Sequence, residues 1–155
     1  MTAPEESEQQ RLARNLGELL QELRVAQAGV QILFGFLLSV AFTERYAHAD
    51  EFVRVTHLVT VLFSAAAAML LTAPASWHRL LFRHGRRAEI IRVANVFALS
   101  GLVALACAMT GTVLLLGEVV LGGWAAILLG VLAGLGFLTL WFALPLRERL
   151  RTLTT

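Results

Sequence analysis

Four stretches of the chain are apolar enough, and long enough, to cross a membrane as helices. A bilayer core of about 30 Å requires about 20 mostly apolar helical residues. Such stretches lie at about residues 25–43, 55–73, 93–116 and 124–144. The last two belong to one apolar run that a single charge, Glu118, interrupts, and Gly122 and Gly123 follow it, which favours a tight turn there. The pattern predicts an all-α integral membrane four-helix bundle, with residues 1–155 forming a single membrane domain.

The N-terminal part predicts one long helix, from about Glu8 to Phe42. Apolar residues recur there at alternating spacings of four and three, the a/d seam of a heptad pattern. The seam consists of Leu12, Leu16, Leu19, Leu23, Ala26, Val30, Leu33, Leu37 and Val40. Two interpretations remain open: the seam serves self-association as a coiled coil, or it rests on the membrane surface or on the chain's own bundle.

The start of the chain is acidic and polar. Residues 1–8 carry Glu5, Glu6 and Glu8 and show no periodicity, so we expect them to be disordered. A secretory signal peptide would open with a short basic region instead. We therefore expect the first apolar stretch to be a retained transmembrane helix that extends into the cytoplasm, not a cleaved leader.

Small residues recur every four positions in the third and fourth stretches. They are Ser100, Ala104, Ala108 and Thr112 in the third, and Gly122, Ala126, Gly130 and Gly134 in the fourth. Small residues at this spacing let helix backbones approach closely. We expect the two helices to pack as an antiparallel hairpin, although the second set could equally face another copy of the chain.

The loop between the second and third stretches, residues 75–92, is basic and amphipathic. Pro74 opens a segment, residues 75–84, that is typical of a short helix ending at Gly85. The loop carries arginines at near-helical spacing, Arg79, Arg83, Arg86 and Arg87. They would suit anionic lipid head groups, but the same charges are expected from membrane topology alone.

Charge and composition support a membrane protein and give it an orientation. Hydrophobic residues make up 57% of the chain and charged residues 15%, and the mean hydropathy is +0.71, unlike a soluble domain. All thirteen basic residues are arginines; eleven lie on the side of the two termini and only two, Arg45 and Arg54, on the other. This bias predicts that both termini face the cytoplasm. The sequence has no basic stripe with interleaved aromatics, the pattern that would indicate nucleic-acid binding.

The most distinctive polar feature lies in the first helix. Gln21, Arg24, Gln27 and Gln31 recur at helical spacing, so a polar stripe runs from the cytoplasm into the membrane. Hydrocarbon cannot satisfy the amides of Gln27 and Gln31. They must face another helix, a water-filled cavity or their own copy. A cavity would indicate transport, and a helix contact would indicate assembly.

Few groups could carry protons or cations. The candidates are Glu18 and Glu22 near the membrane entrance, Glu118 in the apolar run, and His57, which shares a face of the second helix with Thr60 and Ser64. The sequence contains no Cys/His pattern with metal-ligand spacing and no catalytic or phosphate-binding motif. We expect no enzymatic activity, no metal and no cofactor.

Residues 14–34 read RNLGELLQELRVAQAGVQILF, residues 42–46 read FTERY and residues 73–79 read APASWHR. Over nearly its whole length the chain resembles a family of small bacterial four-span proteins, many of them described as sodium:proton antiporters. The resemblance implies a multi-pass protein of the bacterial cytoplasmic membrane, with cation/proton antiport as its activity.

Two functional hypotheses follow. The first is an oligomeric cation or proton transporter or channel. It must work without a mid-membrane carboxylate, because the four stretches hold none at mid-depth. The second is a non-catalytic membrane subunit that assembles through helix one, with another copy or with a partner subunit.

Overall fold

The structure, a computed structural model, describes residues 8–81 and 87–152, and these are almost entirely helical. The helices are α1 (Glu8–Val40), α2 (Glu44–Ala47), α3 (Glu51–Leu81), α4 (Arg87–Val120) and α5 (Gly123–Phe137), then a π-helical segment (Leu138–Ala143) and α6 (Leu144–Thr152). The π-helical segment joins α5 to α6 without a break. The segment predicted to be disordered falls, apart from Glu8, outside the described residues.

Four helices are long and apolar enough to cross a membrane. Their membrane-compatible parts are Gly17–Val40, Glu51–Trp77, Arg92–Val120 and Gly123–Thr152. The predicted all-helical membrane chain with four apolar helices is therefore confirmed. Helix α1 begins at the predicted residue and ends at Val40, two residues earlier than expected.

The four long helices pack in chain order as an open row. The most extensive interface joins α3 to α4; α1 packs mainly on α3, and α5 packs on α4. Between the described parts of α1 and α5 there is at most marginal contact. The chain alternates direction, so one end of the row, here called the loop end, carries residues 41–50 and 121–122. The other end, here called the terminal end, carries the first and last described residues, Glu8 and Thr152.

The interface between α3 and α4 depends on glycines in α4. A Cβ atom added at Gly111 would collide with the Thr60 hydroxyl, and one at Gly101 would lie 2.7 Å from Leu71 side-chain atoms. Leu71 itself is fully buried. Because glycine presents no side chain at these two points, the two helix backbones come close together.

The small residues of α4 pack differently from the prediction. In α5, Ala126 and Gly130 are buried, and a Cβ added at Gly130 would touch Leu114 of α4, as expected for a hairpin. In α4, however, Ala104 belongs to the buried cluster shared with α1 and α3, so its small stripe serves that side of the row. The reason is that α4 carries two small-residue faces and lies between two neighbours.

The turn between α4 and α5 forms where the glycines predict it. Gly122 and Gly123 have φ angles of 74° and 57°, a region that L side chains rarely adopt. The Leu121 N–H still donates to the Gly117 carbonyl at 2.8 Å, so α4 stays hydrogen-bonded up to the turn. The hairpin thus reverses direction within two residues.

The segment after Pro74 differs from the prediction. Residues 75–81 continue α3 and are not a separate amphipathic helix, because α3 runs through the proline to Leu81. A proline removes one intrahelical hydrogen bond, which membrane helices tolerate where neighbours satisfy the freed groups. Residues 82–86, which include the predicted end at Gly85, lie outside the described residues.

The heptad seam of α1 packs inside the chain. Leu23, Val30 and Leu37 are buried, and Leu19 and Ala26 pack against the same cluster as Ala67 and Leu71 of α3. For the described side chains, the seam therefore rests on the chain's own bundle and is not free to form a coiled coil with another copy.

Candidate functional site

The polar stripe of α1 has one member that binds within the chain. Gln27 is half-buried, and its Nε2 amide donates a hydrogen bond to the main-chain carbonyl of Leu71 in α3. Leu71 lies three residues before Pro74, in the helical turn that the proline disturbs. Gln27 therefore faces protein, and its amide satisfies a carbonyl beside the proline.

Gln31 has the opposite environment. Its side chain is exposed, and within the described part of the chain it makes no hydrogen bond. It lies seven residues, or about 10 Å of helix, deeper into the apolar segment than Arg24. A polar amide therefore projects from the protein at a depth where a membrane offers only hydrocarbon.

Small and polar residues surround Gln31 on the outside of α1. Successive residues of an α-helix are rotated by about 100° around its axis, so five exposed residues between positions 21 and 35 fall within an arc of about 80°. These residues, here called the exposed stripe, are Gln21, Arg24, Ala28, Gln31 and Gly35. A Cβ added at Gly35 would meet no atom within 4 Å. The glycine is therefore not required by packing within the chain.

His57 joins α3 to the end of α1. Its Nε2 lies 2.9 Å from the Leu37 carbonyl oxygen, and because a carbonyl only accepts, the imidazole donates. After α1 the chain tightens, since Ala41 N–H donates to the Leu38 carbonyl at 3.2 Å. The buried His57 thus supplies a side-chain donor to a carbonyl in the last turn of α1. The Tyr46 ring packs on the imidazole at a centroid distance of 4.8 Å.

Thr60 and Ser64 continue the His57 face, as the sequence predicts. Both are buried. The Thr60 hydroxyl donates to the Thr56 carbonyl at 2.7 Å, whereas the Ser64 hydroxyl has no hydrogen-bond partner among the described residues. The face is therefore a helix contact and not a water-lined path.

The loop end contains a cup of about 370 Å³ between the first connection and the end of α4. Its lining includes Arg45, His48, Asp50 and Glu118. Arg45 donates to the Val119 carbonyl at 3.3 Å, and Asp50 accepts from Val53 N–H at 2.8 Å as the N-cap of α3. Sequence reasoning found Glu118 alone, because only the fold brings the other three beside it.

The four predicted proton or cation groups are divided between the two ends of the row. Glu18 and Glu22 are exposed on the terminal half of α1, and Glu18 lies 3.7 Å from the Arg14 guanidinium. His57 and Glu118 lie towards the loop end, where Glu118 Oε1 accepts from Gly123 N–H at 3.5 Å. Within residues 8–81 and 87–152, no group of three or more His, Cys, Asp or Glu side chains could hold a metal ion.

The predicted lipid-binding arginines are described only in part. Arg79 is exposed in the last turns of α3. Arg83 and Arg86 lie outside the described residues, and Arg87 is the first residue of α4. Anionic-lipid binding therefore stays a prediction from the sequence.

Comparison with known proteins gives one match. A family model described as "Family of unknown function (DUF6328)" matches residues 5–145. No curated protein and no solved structure matches the chain.

Proposed function

The chain belongs to the DUF6328 family, whose function is unknown, and we propose that it is a non-catalytic membrane subunit. In this proposal it assembles through helix α1. The exposed stripe of α1 is the surface that binds a further transmembrane helix. The single observation that carries the proposal is the Gln31 amide, which projects from an apolar helix and has no hydrogen-bond partner among the described residues.

The free energies favour a protein neighbour for Gln31. An amide moved from water into an apolar medium without a partner costs about 2–7 kcal/mol. A hydrogen bond between membrane helices returns about 0.6–2 kcal/mol and removes that penalty. Lipid tails can do neither. A second helix on the exposed stripe therefore stabilises the chain more than lipid does.

The open row favours assembly over transport by one chain. Gln27 is bonded to α3, and the His57 face is packed against α1 at His57 and against α4 at Thr60, so neither lines water. The apolar stretches hold no carboxylate at mid-depth. A single chain thus supplies no continuous polar path among its described residues.

Photocrosslinking in native membranes tests the proposed role. A photoreactive benzoylphenylalanine replaces Ala28 or Gly35 of the exposed stripe, and a control replaces Leu62, which is 59% exposed on α3. We expect discrete protein adducts from the two stripe positions and none from Leu62. If positions 28 and 35 give no protein adduct, the exposed stripe faces lipid and the proposal is wrong.

The loop-end cup favours a second candidate, an oligomeric cation or proton transporter or channel. The Asp50 and Glu118 carboxylates both line this cavity, and each copy in an assembly would contribute one such cup. Cation-dependent proton flux into proteoliposomes tests this activity. We expect Glu118→Gln to lower the flux and Glu51→Gln, which changes an acid outside the cup at the start of α3, to leave it unchanged. Wild-type flux at the level of empty liposomes would exclude transport.

The sequence supports a location for the assembly. We propose the bacterial cytoplasmic membrane with both termini on the cytoplasmic side, from the arginine bias and from the resemblance described above. In this orientation Arg79 and the arginines that follow it lie where anionic lipid head groups could pair with them.

A further inference from the structure

We infer that the helix bound to the exposed stripe is α1 of a second copy of this chain, aligned in parallel, with the two Gln31 amides hydrogen-bonded to each other. The inference rests on the proposed function, because it names the partner of the same surface. It predicts a two-fold axis along the membrane normal that passes beside Gln31.

Topology makes the two α1 helices parallel. Every copy carries the same arginine distribution, eleven residues against two, and therefore inserts with the same orientation. Two copies of one helix then meet with identical residues at identical depth. Each position on the exposed stripe faces its own equivalent across the axis.

The amide group is complementary to itself. Gln carries an NH₂ donor and a carbonyl acceptor on one side chain, so two Gln31 residues related by a two-fold axis can exchange hydrogen bonds. A carboxylate or a guanidinium at this position would instead repel its equivalent. A different partner protein would have to place its own polar group at this depth, whereas a second copy does so by symmetry.

The residues on either side of Gln31 permit close approach. Ala28 lies three residues before it and Gly35 four residues after it, both exposed on the same stripe. The open space around Gly35 shows that this chain leaves room there for a backbone. Small residues one turn above and below a polar residue are typical of membrane helix pairs.

Arg24 does not oppose this arrangement. It lies about 10 Å from Gln31 towards the terminal end, directly before the uncharged apolar stretch at residues 25–43. Its long side chain can extend into the head-group region and diverge from its equivalent. The two positive charges are therefore separated by water and lipid head groups and not buried together.

Disulfide crosslinking tests the symmetric contact. The native Cys107 is exposed and is first replaced in Cys107→Ser. In membranes under mild oxidation, we expect Ala28→Cys and Gly35→Cys each to form a covalent dimer, because a disulfide needs Cα atoms about 4.4–6.8 Å apart. Val25→Cys and Phe36→Cys are matched controls on the same helix, 74% and 61% exposed but on another face. Equal crosslinking at the control positions would overturn the inference.

Substitution of the amide supplies a second measurement. In a tagged and fluorescent pair of copies reconstituted together, we expect Gln31→Leu to lower the dimer association constant by about 3- to 30-fold, the range measured for interhelical hydrogen bonds. Gln31→Asn, which keeps the amide, should retain most of the association. If Ile32→Leu lowered the association constant as much as Gln31→Leu does, the amide would not be responsible for association.

The crosslinks also separate failure of this inference from failure of the proposed function. Adducts at positions 28 and 35 that contain only a different protein would refute the second copy while leaving assembly through α1 intact. No protein adduct at either position would refute both. None of these variants changes the Gln27 bond to Leu71, so each is expected to fold. The helix content of each variant checks this.

Discussion

Two glutamines one helical turn apart in α1 have very different surroundings, although they lie on the same helix. Gln27 and Gln31 point about 40° apart around the axis. That rotation carries the first amide to the Leu71 carbonyl and leaves the second on the outer surface. The sequence predicts a polar stripe at this position, because the spacing is helical. It cannot predict which amide is buried, because that depends on where α3 lies.

Replacement of Gln27 should destabilise the chain itself. Gln27→Leu removes the donor to the Leu71 carbonyl, and a net loss of about 0.5–1.5 kcal/mol is expected for one hydrogen bond. Gln31→Leu breaks no bond within the described chain and should leave the unfolding free energy of the monomer unchanged or higher. Denaturant unfolding in detergent, at a concentration where the protein is monomeric, compares the two. A larger loss from Gln31→Leu would contradict this assignment.

His57 gives a second residue-scale prediction. His57→Leu removes the imidazole donor from the Leu37 carbonyl, and a net loss of about 0.5–1.5 kcal/mol is expected for one hydrogen bond. His57→Gln offers an amide donor at similar reach and should recover part of the loss. The thermal unfolding midpoint in detergent measures both. Equal midpoints for His57→Leu and wild type would show that the hydrogen bond contributes nothing.

At the scale of elements, the helices and the α4–α5 hairpin were predictable, whereas the helix face that packs on each neighbour was predicted only in part. The glycines near residue 122 predict the α4–α5 turn, since only glycine readily takes positive φ there. The direction of the α4 small stripe was wrong, because spacing alone cannot tell one small-residue face from the other. Helix α3 was expected to end at Pro74, but it continues through the proline to Leu81.

Glycine substitutions test the contact between α3 and α4. Gly111→Ala places a methyl group against Thr60, and such overpacking costs about 1–3 kcal/mol. Gly29→Ala is the matched control, because a Cβ there meets no atom within 4 Å and alanine is the better helix former. The thermal unfolding midpoint should therefore fall for Gly111→Ala and stay level or rise for Gly29→Ala. The reverse order would show that the two helices are not in close contact at Gly111.

On the scale of the whole molecule, the first and last described residues, Glu8 and Thr152, lie at one end of the row and the two short connections at the other. This follows from four antiparallel spans and was predicted from the number of apolar stretches. The open arrangement was not predicted, because a sequence gives the number of spans but not whether the first and last of them meet. The structure leaves an outer face on α1 and another on α5.

Membrane orientation can be measured on this whole-molecule geometry. In a Cys107→Ser background, His48→Cys lies at the loop end and Thr152→Cys at the terminal end, and both residues are exposed. A membrane-impermeant thiol reagent added to intact spheroplasts should label position 48 and should label position 152 only after lysis. Labelling of position 152 in intact spheroplasts would reverse the proposed orientation.

The order of the row also bears on biogenesis. Each long helix after α1 packs on the long helix that precedes it in the chain: α3 packs on α1, α4 on α3, and α5 on α4. A nascent chain can therefore build its tertiary structure helix by helix as the ribosome delivers each span to the bilayer, with no early span held open for a late one. Contacts between neighbours in sequence also form fastest during folding. A ribosome-stalled fragment ending after α4 should already hold its first three spans in their final arrangement.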